Sequence, residues 1–131
     1  MVALCTECGK AVFGEDNFEV RKVTSSGSTD MGDLCNIMPV VHPYVGGAKG
    51  KGHGNDYEIY DPENACVKNA EWQLVMLTKL LENGGERAEN ILENFTPRFA
   101  SKEEFLAYQD SLACSGDRIT YREDGTAEVR L

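Results

Sequence analysis

Basic residues are scarce in this sequence: 13 Lys plus Arg stand against 22 Asp plus Glu, for a formal charge of -9 and a sequence pI near 4.7. A surface that acidic does not neutralise phosphates, which excludes nucleic-acid binding through the backbone and docking on an anionic membrane. Long apolar runs are missing as well. The longest, around Ile37 to Val41, is broken by Pro39 and falls far short of the ~20 residues that span a bilayer. The opening MVALCTECGK reaches Glu7 before a secretory apolar region forms, which predicts no signal peptide and a cytoplasmic location with reduced cysteines. The five cysteines are odd in number and fit poorly with a closed disulfide framework. Histidine is nearly absent, with two in 131 residues. No internal repeat, low-complexity tract or clear linker breaks the chain, and its length suits one domain, residues 1–131.

What is present alternates helix and strand signals. Leu4, Cys5, Cys8, Ala11 and Val12 fall at helical spacing with Gly14 as a stop, but Met1-Val2-Ala3 offers no side-chain cap. Phe18–Val23 reads as a strand, residues 24–30 as a polar turn, and Leu34 to Met38 as a short helical or irregular piece. Pro39–Val45 has β-branched character, and its two prolines limit it to a short or edge strand. Residues 46–55 contain five glycines, so the backbone there can approach a ligand closely. Asp56 to Tyr60 adds a few extended residues. Asp61-Pro62-Glu63 starts the longest helix, with Cys66, Val67, Ala70, Leu74, Leu77 and Leu81 as its core face and Gly84-Gly85 as its end. A further helix is predicted from Glu86 to Phe95, and another opens at the capping box Ser101-Lys102-Glu103-Glu104. Arg118 to Leu131 reads as a hairpin turning at Glu123–Thr126.

Three groups of residues carry candidate chemistry. Cys5-x-x-Cys8 lacks the second ligand pair of a structural zinc site and sits inside an apolar helical face, which favours buried free thiols over a zinc or redox module. Cys66, on the predicted core face, reads the same way. His42, between Val41 and Pro43, reads as a hydrogen-bonded core imidazole. His53, between Gly52 and Gly54, suits a metal ligand or an acid–base delivered into a crowded site, and equally a solvent-exposed loop histidine. Ser28, Thr29, Asp30 and Asp33 form a cluster of hydroxyls and carboxylates that can cap a helix, bind a cation or orient a histidine. No H-E-x-x-H, His-x-Asp or Walker loop occurs, and one good histidine falls short of the three ligands a catalytic zinc takes. A complete active site is not visible.

Gly27-Ser28-Thr29-Asp30-Met31-Gly32-Asp33, then Met38–Pro43, then Gly52-His53-Gly54, and finally Ala70-Glu71-Trp72-Gln73-Leu74 together resemble the C-terminal part of the aminoacylase-type zinc metallopeptidases. The resemblance covers roughly residues 2 to 112 and is closest to the amidohydrolase branch, with its p-aminobenzoyl-glutamate, N-acyl-amino-acid and dipeptide hydrolases. It implies an α/β fold: the part after the lid of a three-layer αβα catalytic domain, with a short mixed sheet and about four helices. Residues 1–112 are the family-like part, and 113–131 a C-terminal hairpin. It implies that His53 is one ligand of a two-zinc centre, with Asp30 and Asp33, and Ser28 and Thr29 beside them, in supporting or substrate-binding positions. The implied substrate is a small N-acyl amino acid or peptide. The family's other ligands and general-base Glu have no match here, so the resemblance implies a portion that is inactive alone. The alternative is a non-catalytic remnant that acts through self-association, as a homo-oligomer, or by binding a partner.

Overall fold

A computed structural model describes residues 1–21, 27–113 and 119–129. Their contacts fall into two compact units, Met1–Arg98 and Phe99–Leu131. The chain is mixed α and β, with four helices of eight residues or more and two separate two-stranded antiparallel sheets. No described helix is long and apolar enough to cross a membrane.

In the first unit, helix α1 spans Val2–Phe13, has no side-chain cap, and ends at Gly14 with φ 87°. Leu4, Cys5 and Cys8 are buried on one face of it. Gly9, one turn on from Cys5, is buried because a Cβ there would collide with the ring of Phe18. That side-chain anchor, rather than strand pairing, holds the following segment: Phe18–Arg21 is neither helix nor strand. Lys22 and Val23, which complete the strand predicted there, and turn residues 24–26 lie outside the described residues. A four-residue helix α2 covers Met31–Leu34.

Helix α3, Asn69–Leu81, follows a π-helical turn over Glu63–Lys68. Its start is set as the sequence predicts, because the Asp61 carboxylate accepts the Asn64 backbone N–H at 3.2 Å and the Asn64 side-chain amide at 2.6 Å. Those bonds favour the charged form and hold the Asp61 carboxyl below its ordinary pKa. The buried face of α3 differs from the expected one. Trp72 is 2% exposed and packs with half-buried Val75, Met76 and Leu80. Cys66, Val67, Leu74, Leu77 and Leu81 are exposed instead. Indole volume decides this: the rings of Phe13 and Phe18 stand edge-on to Trp72, with centroids at 5.5 and 5.4 Å, and its Nε1–H donates to the Cys5 carbonyl at 3.0 Å. No apolar strip at 67, 74 and 81 offers that combination of area and hydrogen bonding.

After α3 the chain turns through Asn83, Gly84 and Gly85, all at positive φ, into α4, Glu86–Glu93. Arg87 of α4 reaches back to α1 and grips both carboxylate oxygens of Glu7, at 2.5 and 3.3 Å. Val41 and Val45 pack on the same core from another side. The predicted strand over Pro39–Val45 is not formed, since no described segment pairs with it.

The second unit holds α5, Lys102–Leu112. Ser101 Oγ accepts the Glu104 N–H at 3.1 Å, and Glu104 accepts the Ala100 N–H at 2.8 Å, a capping box displaced by one residue from its usual return bond. Phe99 is buried against the rings of Phe105 and Tyr108. Strands β3 (Ile119–Tyr121) and β4 (Ala127–Val129) form the predicted hairpin. Asp124 accepts the Thr126 N–H and hydroxyl at the turn, and Gly125 takes φ 81°.

Candidate functional site

The glycine loop is built on the two-residue pair β1 (Ala48–Lys49) and β2 (Glu58–Ile59), antiparallel with Ala48 opposite Ile59 and Lys49 opposite Glu58. Its base is anchored by Gly47, whose carbonyl accepts the N–H groups of Tyr60 and Asp61 at 2.9 and 3.1 Å. Gly47 is buried at φ 112°, and a Cβ there would meet the Asp61 carbonyl and Ala65. Across the strands, Lys49 Nζ meets Glu58 at 2.9 Å and lies 5.9 Å from the centre of the Tyr60 ring.

Above that base the loop closes on itself. The Gly54 N–H donates to the Lys51 carbonyl at 2.6 Å, and the Lys51 N–H donates to Asp56 Oδ1 at 3.2 Å. Gly50 passes against the backbone of Asp56 and Tyr57 with no room for a side chain, and Gly54 passes as closely to Lys51 and the Asp56 carboxylate. His53 stands at the tip of this closed loop with φ 62° and an exposed side chain. A non-glycine residue in the left-handed region costs about 1–2 kcal/mol. Surrounding hydrogen bonds hold it there, so the imidazole is presented from a fixed backbone rather than a slack one.

The Ser-Thr-Asp corner lies at the entrance of α2. Asp30 occupies the N-cap position of α2 without a side-chain hydrogen bond to it. Thr29 Oγ1 accepts the Met31 N–H at a long 3.5 Å, and the Thr29 carbonyl accepts Gly32 at 2.8 Å. Ser28, Thr29, Asp30 and Asp33 are all exposed. The corner thus presents free carboxylates and hydroxyls, and the capping its residue types allow is only partly used.

A catalytic zinc takes at least three protein ligands. Among the described residues, no group of three or more His, Cys, Asp or Glu lies together in a way that could hold a metal ion. His53 and the corner therefore do not make a complete donor set, and zinc does not fit the described residues by themselves.

The other candidates resolve more simply. Cys5 and Cys8 are buried, unbridged thiols, as their place on an apolar face predicts. Burial pushes both thiols to higher pKa, with the neighbouring Cys8 adding to the effect at Cys5 and Glu7 adding to it at Cys8. Neither has the depressed pKa of a reactive cysteine. Cys66, expected in the core, is exposed, because it sits on the face of the helix that Trp72 turns outward. His42, expected as a core imidazole, is exposed and lies beside Tyr44, ring centroids 5.3 Å apart. The residues facing the core there are its neighbours Val41 and, further on, Val45. Cys114 lies outside the described residues.

The sequence reading missed an open apolar groove along α3 and the turn before it, about 830 Å³ in volume, lined by Cys66, Val67, Ala70, Leu74, Val75 and Thr78. Its signal was in plain view, since those residues had been assigned to a core. No protein-family model, curated protein or solved structure matches this chain.

Proposed function

We propose that this chain is a portion of a metal-dependent amidohydrolase, and that His53 is the ligand it lends to a metal centre whose remaining ligands and general base lie on polypeptide outside it. The substrate class is N-acyl amino acids or dipeptides. One observation carries the reading: an exposed imidazole held at φ 62° on a loop closed by Gly50, Gly54 and Asp56. Backbone strain retained at an exposed tip adds nothing to the core, and it accords with a side chain whose position matters to a bound group. The exposed apolar strip of α3 supports the same reading, because such a strip marks a surface that another layer covers.

Asp30 and Asp33 serve in this proposal as acceptors that orient ligands or hold substrate, with Ser28 and Thr29 beside them. Alone, the chain supplies too few donors to activate water. The alternative, a non-catalytic piece that associates with a copy of itself or another protein, draws on the same apolar strip and leaves the strained histidine unexplained.

The test uses a longer polypeptide containing this sequence, purified with zinc, and measures its metal content and its hydrolysis of N-acetyl amino acids and dipeptides. His53→Ala is expected to lower kcat/KM by roughly a hundredfold or more, beyond the loss typical of a group that merely orients a ligand, together with bound zinc. The reading fails if the His53→Ala protein keeps both its zinc and its rate. It fails equally if the 131-residue chain alone shows chelator-sensitive hydrolysis.

A further inference from the structure

We infer that residues 40–46 are a docking edge for a β-strand from another polypeptide segment, and that the strand adds on the side of Val40, His42, Tyr44 and Gly46. This stands whether or not His53 binds metal. The segment already has the side-chain arrangement of a strand. Val41 and Val45 pack on the core, while His42 and Tyr44, two residues apart, lie beside each other on the exposed side. That is the period of two of an extended chain. The residues preceding Pro39 and Pro43 are held to extended backbone by the proline rings. Yet among the described residues no backbone hydrogen bond involves residues 40–46, and no strand is assigned there.

The prolines decide which side is free to pair. In an extended chain, residues of one parity direct both N–H and C=O to the same edge. The odd edge carries Pro39, Val41, Pro43 and Val45, so two of its four donors are missing. The even edge carries Val40, His42, Tyr44 and Gly46 and keeps every donor and acceptor. An added strand satisfies those groups, and pockets between alternate side chains supply preference, as in other strand-addition modes.

Charge selects the occupant. The segment 39–47 is uncharged within a chain of formal charge -9, so a second copy brings another acidic surface and is repelled. The occupant is instead an apolar extended strand with neutral or basic flanks.

The probe is a blocked peptide, Lys-Thr-Val-Thr-Val-Thr-Val-Lys, added to the isotope-labelled 131-residue chain while backbone amide exchange is followed by NMR. Exchange at His42 and Tyr44 is expected to slow about tenfold at saturating peptide, while the amides of Val41 and Val45 change little. Tyr44→Pro deletes one even-edge donor at a side chain that is 88% exposed and is expected to abolish the slowing, with Trp72 emission reporting an intact core. If that variant does not fold, the same peptide N-methylated along one edge serves in its place and is expected not to bind. No slowing at millimolar peptide overturns the inference, as does equal slowing at Val41 and Val45. Slowing that grows with protein concentration alone reassigns the edge to a second copy and overturns the choice of occupant.

Discussion

Glu7 and Arg87 meet across 80 residues of sequence, and the contact joins the first helix to the fourth through two N–H···O bonds. The Arg87 hydrogen bonds favour the ionised carboxylate and hold Glu7 below the ordinary glutamate pKa. A depressed folded-state pKa contributes stability that is present above the unfolded value, about 4.3, and is lost as pH falls through the folded value. Urea midpoints of the wild type should therefore fall as pH drops below about 4.3. Glu7→Gln should lower the midpoint at pH 7 and flatten that acid-side fall, and an unchanged acid slope would show that other carboxylates govern it. At this same scale, the part of the candidate site that depends on residue type was legible. Glycines flanking His53 can be counted, and so can hydroxyls beside Asp30. The left-handed backbone at His53 could not be read, because it comes from hydrogen bonds between Gly54, Lys51 and Asp56 that close only once the loop has folded.

Elements were legible where their signals are local. Asp61 caps with its own carboxylate, Ser101 and Glu104 cap with theirs, and Gly14 ends α1 through a dihedral that other residues resist. The side an element buries is not local. Periodicity along α3 shows an apolar strip at 67, 74 and 81, and the neighbouring face holds one tryptophan whose ring and N–H both find partners on or near α1. Likewise residues 39–45 have strand composition, but a strand is a pairing, and the described partner is lacking. Paired substitutions separate the two faces of α3. Trp72→Ala should destabilise the first unit by about 3–5 kcal/mol, from lost burial and an unsatisfied Cys5 carbonyl contact. Leu74→Ser, at a side chain that is 64% exposed, should stay within about 0.5 kcal/mol. Equilibrium urea unfolding compares them; a large loss at Leu74 would mean that this strip is covered in solution.

For the whole molecule, the core and the apolar surface are distributed in a way that links fold to proposed role. The buried cluster is Leu4, Cys5, Cys8 and Trp72, with Val12, Phe13, Phe18, Val41, Val45 and Ile91 among the side chains packed against it. All of them lie within Met1–Arg98, and Phe99 has its own aromatic neighbours in Phe105 and Tyr108. A chain ending at Arg98 therefore keeps every group that defines the first core, along with the loop of His53, the Ser-Thr-Asp corner and the open edge at 40–46. Its Trp72 emission maximum should match that of the full chain, and its unfolding free energy should agree within about 0.5 kcal/mol, as for changes remote from a core. Shifted emission or a markedly lower midpoint would show that the first unit depends on residues 99–131. If the truncated chain is as stable as expected, the small core at one side of α3 is self-sufficient, and the uncovered strip on the other side is surplus to its own folding. Such a surface has a use only when something else is laid against it, which is the condition that both the borrowed-ligand reading of His53 and the open strand edge require.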